Sequence, residues 1–202
     1  MEKNKVLKAI LGASAAALLF STLPASAQTS TGTSAMNANS TQQSGMSGAA
    51  GATASGGALS SADKKAVMEM GMANMAEVET GKMAVAKAQS PEVKAFAQQM
   101  IDDHSKALTE VQTLAQAKGV TLPTELDAKH KAMAAKLDKL SGAQFDKEYM
   151  KNAGVADHKT VHAKLVKDEK GAKDPEVKAL AAKMRPVVEQ HLKSAQSLTA
   201  AK

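Results

Sequence analysis

Four titratable side chains interrupt otherwise apolar stripes. Val93, Ala97, Met100, His104, Leu108, Val111 and Ala115 recur at spacings of three and four, and so do Val177, Ala181, Met184, Val188, His191, Ala195 and Leu198. Met150, Gly154, His158, Val161 and Leu165 form a third stripe, and Met68, Met72, Met75, Glu79, Met83 and Ala86 a fourth. That spacing places each set on one helix face. Glu79, His104, His158 and His191 each fall near the middle of a helix, so in an antiparallel bundle of matched lengths they meet at one level. Imidazoles converging with a carboxylate can hold one transition-metal ion such as Zn, Cu or Fe. The same residues can also form a buried polar network, in which each ring finds a hydrogen-bond partner.

Other candidates lie close by. His162 follows His158 by one turn, a two-histidine ligand spacing. Asp102, Asp103 and Asp157 adjoin the central histidines and can orient a ring or ligate directly. Glu77 lies beside Glu79, and His130 falls outside the central set. "MEMGMANM" at 68–75 offers thioethers suited to Cu(I), although methionine is also an ordinary core filler. Enzymatic constellations are otherwise missing. There is no cysteine and no Gly-rich phosphate loop, and the serines cluster in low-complexity sequence and at helix caps.

The elements that must position these residues are all helices. Ser60 with Asp63 resembles a capping box and starts a helix running to about Ala88. Ser90-Pro91 and Asp174-Pro175 each set a capping side chain before a proline at the first helical position. Gly119 ends the second helix. Pro123-Thr124 starts a shorter helix to about Leu140, and Ser141-Gly142 precedes a long one reaching about Lys170. Pro186 removes a hydrogen bond to Ala182 and predicts a bend before His191. No stretch alternates with period two. Tight connections at 89–90 and 171–174 make two helical hairpins, and residues 119–141 form a long crossover carrying the short helix. Short, long, short is the connectivity of a ferritin-like four-helix bundle. "PEVKAFAQQM" and "PEVKALAAKM" match at seven of ten positions, each opening the second helix of a hairpin. The bundle therefore reads as two copies of one hairpin.

Sequence also supplies an address. Residues 1–27 carry Lys3, Lys5 and Lys8, an uncharged apolar stretch from Ile10 to Phe20, and small residues Ala25-Ser26-Ala27. That order is expected of a secretory signal peptide cut after Ala27, with a retained N-terminal anchor as the rival reading. If the cell is Gram-negative, export would place the domain in the periplasm. Residues 28–60 contain no charge and no aromatic, the composition of a flexible tether. The bundle domain then spans 61–202. No stretch beyond residue 27 is long and apolar enough to cross a membrane. Losing three Lys and one Glu with residues 1–27 lowers the formal charge from +6 to +4, and the charges left are interspersed. Phe96, Phe145 and Tyr149 are the aromatics left there. Nucleic-acid binding, which needs clustered charge and stacking platforms, is not expected.

The order of "DDH", "FDKEY" and "PVVEQH" within residues 61–199 closely resembles the bacterial domain-of-unknown-function family 4142. That resemblance implies an exported, ferritin-like bundle without an assigned activity. The wider ferritin-like superfamily implies a carboxylate-rich di-iron centre, with Glu-x-x-His on two helices. This chain departs from it. Ile101 stands three before His104, Val188 stands three before His191, and helix three offers His158. One Glu with several His suits a single ion. Three functions follow from these readings: a non-catalytic exported bundle serving envelope stress or metal handling, a redox or metal-sequestering protein, and a protein-interaction module.

Overall fold

A computed structural model describes residues 58–200, and these residues are helical with no strand among them. The signal peptide expected at 1–27 and the tether expected up to residue 57 lie outside the described residues. Six α-helices occur: α1 (Ser61–Lys87), α2 (Pro91–Ala117), α3 (Ala128–Asp138), α4 (Gly142–Tyr149), α5 (His158–Gly171) and α6 (Pro175–Ala200). A π-helical segment, Met150–Asp157, joins α4 to α5 into one long rod.

Helices α1 and α2 pair along their length, as do the π–α5 rod and α6, and α2 meets α6 to close a four-helix, ferritin-like bundle. Capping works as the local sequence dictates. Ser60 Oγ accepts from Asp63 N at 3.1 Å, and Asp174 Oδ1 accepts from Glu176 N at 2.9 Å and Val177 N at 3.1 Å. After α2 the chain turns at Gly119, whose φ of 64° favours glycine, while Val120 N donates to Ala115 O at 2.8 Å. Pro186 is exposed, and α6 continues through it.

Two boundaries differ from the sequence expectation. Leu59 is buried in the core, so the domain begins before Ser61. The crossover helix starts at Ala128 instead of Pro123, because Asp127 Oδ1 caps it by accepting from His130 N at 2.9 Å. Residues just before it are held otherwise: Leu126 is buried and Asp127 N donates to Met72 Sδ at 3.3 Å.

The Ser60–Asp63 pair is only half a capping box. Instead of returning to the Ser60 amide, the buried Asp63 carboxylate crosses the bundle and accepts from Lys173 N at 3.1 Å and Asp174 N at 3.2 Å in the α5–α6 turn. Asp146 of α4 does the same for the α1–α2 turn, accepting from Gln89 N at 2.9 Å and Ser90 N at 2.8 Å. Each hairpin turn is thus fastened by the other hairpin.

The core divides into two apolar clusters. Val67, Met70, Val111, Leu165, Val177 and Val188 belong to one, and Phe96, Met100, Leu137, Phe145, Tyr149 and Met150 to the other. Buried Asn74, Glu77, His104, Asp157, His158 and His191 occupy a polar belt that belongs to neither.

Asp146→Ala leaves two turn amides without their acceptor and should cost roughly 2–4 kcal/mol in urea unfolding, with Asp146→Asn losing less. A domain begun at Ser61 should be less stable than one begun at Ala58 by about 2–4 kcal/mol, through loss of Leu59 burial and the Ser60 cap.

Candidate metal centre

Three imidazoles meet in the polar belt. His104 comes from α2, His158 from the junction of the π segment with α5, and His191 from α6. Their ring centroids form a triangle with sides of 5.6, 5.2 and 5.6 Å. One ring nitrogen from each lies within 4.8 Å of one from each of the others, and all three residues are buried. Metal–nitrogen bonds of roughly 2.0–2.1 Å need a further closing of the rings, within reach of side-chain torsions.

The second nitrogen of each ring is committed elsewhere. His104 Nδ1 lies 2.8 Å from Asn74 Oδ1. The Asn74 amide is oriented by its own Nδ2, which donates to Met70 O at 2.7 Å, so oxygen faces the imidazole. His158 Nδ1 donates to the Ala153 carbonyl at 2.8 Å. His191 Nε2 donates to Asp103 Oδ2 at 3.0 Å. All three partners are acceptors, and this assigns the tautomers: the outer nitrogen carries hydrogen and the other keeps its lone pair. His104 Nε2, His158 Nε2 and His191 Nδ1 are buried with no hydrogen-bond partner among the described residues. Three unpaired acceptors in one site would ordinarily cost about 1–3 kcal/mol each, which a shared cation would relieve.

The π segment has a role in this. In a π turn, residues five apart come to one side, as Ala153 and His158 do here. At Gly154 a Cβ would sit 3.2 Å from both Ala195 Cβ and Met150 Cε, so the absent side chain lets the rod approach α6 near His191.

Electrostatics keep the rings neutral. Burial holds His104 well below its ordinary value, with His158 and His191 adding to the effect. Burial also lowers His158 to about 4, against the Ala153 hydrogen bond. His191 is lowered by burial and supported in the opposite direction by Asp103. Glu77 is raised well above the usual carboxylate range by burial and then by Asp157.

The sequence candidates sort clearly. His104, His158 and His191 come together, while Glu79 is exposed on α1 and takes no part. Glu77 faces inward instead, with Oε1 3.5 Å from His158 Nδ1. The inward face of α1 runs through Val67, Met70, Asn74, Glu77, Gly81 and Ala84, one to two residues off the methionine stripe. Asp103 orients His191. His162 lies outside the triangle, with Nε2 4.0 Å from Glu189 Oε2. Asp102 is exposed beside Gln98, and Asp157 pairs with Lys129 at 2.5 Å. His130 stays in the crossover against Asp127. The methionine run separates: Met70 is core, Met68 is 40% exposed, and Met72 accepts from a loop amide. Asn74 lies outside the methionine stripe, and the signal that marks it is its three–four spacing with Met70 and Glu77. Tyr149 also lies outside the apolar stripes, and its buried hydroxyl is raised well above its ordinary value by burial and Glu77.

Fold and site together define a ferritin-like helical bundle with a three-histidine cluster at its centre. The chain belongs to the family described as domain of unknown function DUF4142, whose model matches residues 48–198. The crystal structure of a DUF305 fragment from Deinococcus radiodurans has a similar fold, with a TM-score of 0.64 at 13% identity, covering 72% of this chain and 100% of that one. No curated protein matches the chain.

The histidines fix a pH dependence. Because the fold keeps them neutral, the unfolded chain binds more protons below the ordinary value of 6.5, and stability is lost as pH falls from there towards about 4. His158 alone accounts for about 3 kcal/mol over that window. Glu77 acts oppositely: it keeps its proton in the fold, so stability is lost as pH rises past the ordinary carboxylate value of 4.5. Glu77→Gln should therefore raise stability at neutral pH and steepen the loss towards acid, as read by urea unfolding across the pH range.

Proposed function

We propose that this protein is an exported metal-binding bundle that holds one transition-metal ion on His104, His158 and His191, serving metal handling in the cell envelope. The observation that carries the reading is the set of three buried ring nitrogens with lone pairs and no donors, each outer nitrogen being tied to an acceptor. A purely structural polar network would pair those nitrogens with one another or with a donor. Three imidazoles without thiolate suit Zn(II), copper or Fe(II) better than Mg(II) or Ca(II). Export rests on the signal-like character of residues 1–27 and on the family resemblance.

The test is metal analysis of protein purified without chelators, followed by titration of the metal-free form with Zn(II), Cu(II) and Fe(II). One equivalent should bind, and at a hundredfold excess over Kd the ion should add about 2.7 kcal/mol of stability. Replacing His104 and His191 together by Ala should abolish binding, whereas Glu79→Ala should leave it unchanged. A folded wild type that takes up none of these ions at micromolar concentration would end this reading.

A further inference from the structure

We infer that the bound ion keeps one coordination position for a small exogenous anion, admitted through a notch between α2 and α6; this rests on the metal reading above. Three protein donors meet at the cluster, and no carboxylate joins them among the described residues. Glu77 approaches the Nδ1 side of His158, the side already turned towards Ala153. Three protein ligands with a free position are the pattern of an exchangeable site, whereas closed structural sites use four.

Space beside the ion fits that role. A cavity of about 10 Å³ is lined by Asn74, Glu77, His104, His158, Met184 and Val188. That is about the room one water-sized ligand requires. A larger groove of about 160 Å³ lies outside it, with Asp103, Lys106, Glu110, Lys183 and Val187 around it. Groove and cavity share Asn74, His104, Met184 and Val188 as walls, so the two spaces adjoin at the His104 ring. The groove of about 130 Å³ on the α1–α5 side touches none of the three histidines.

Charge selects the ligand class. Neutral imidazoles leave most of a divalent ion's charge uncompensated in a buried site, so an anion gains more than a neutral molecule of equal size. The inner cavity has room for little more than the ligating atom, so a slim linear anion such as cyanide or azide would extend from it towards the groove, whereas tetrahedral phosphate is excluded.

Cobalt(II)-loaded full-length protein supplies the readout through its visible ligand-field bands. Azide should shift them saturably, and phosphate should not. Val187→Trp, at a 41% exposed position on the groove rim, should slow azide association several-fold while leaving cobalt affinity and the final spectrum unchanged. Cobalt bands indifferent to azide would mean that the protein itself fills the fourth position, and the inference would fall. An unchanged association rate in Val187→Trp would refute the proposed route. Failure to bind cobalt at all would strike the metal reading itself, a distinct result.

Discussion

Burying three imidazoles between two apolar clusters is the constraint on which the rest of this structure depends. A neutral imidazole has one donor and one acceptor, and neither can be left idle cheaply away from water. The bundle meets the donor requirement with three acceptors of different origin. An amide on α1, a carboxylate on α2 and a main-chain carbonyl of the π segment each take one ring N–H. This arrangement leaves three lone pairs uncommitted in one place, and a cation is the simplest species that satisfies all of them.

Such a site inverts the electrostatic plan of a carboxylate-rich di-iron bundle. There, anionic ligands neutralise highly charged iron; here the converging groups are neutral imidazoles, and the nearby acids stand behind them. Asp103 contacts the ring of His191, and Glu77 lies beside the back of His158. Their influence on a bound ion would be transmitted through imidazole basicity and ring orientation. The two apolar clusters then set a low dielectric around the belt, which sharpens each of these interactions.

Much of this was legible in the chain. Ser90-Pro91 and Asp174-Pro175 specify helix starts through local capping chemistry, and the stripes of α2 and α6 place His104 and His191 inward correctly. On α1 the methionine stripe points away from the buried face for a physical reason. Its buried side is made of small and polar residues, Gly71, Asn74, Gly81 and Ala84 among them, because α1 packs closely on α2. The larger methionines draw attention to a neighbouring face. The π turn carries no local signature, since its stability comes from packing against α6. A ring partner such as the Ala153 carbonyl is invisible in principle, because every residue has one.

The paired clamps of Asp63 and Asp146 have a consequence for assembly. They join residues up to 111 positions apart, and each holds a turn that its own hairpin does not hold. In these clamps the two halves are related as subunits of a two-fold dimer would be, each clamp being made once in each direction. The crossover through α3 acts as a tether that turns this association into an intramolecular event with a high effective concentration. Nothing in the clamps distinguishes a hairpin of the same chain from the equivalent hairpin of another. At high protein concentration during refolding, exchange of hairpins between two chains would rebuild both clamps and both histidine triangles, giving an intertwined pair with native sites.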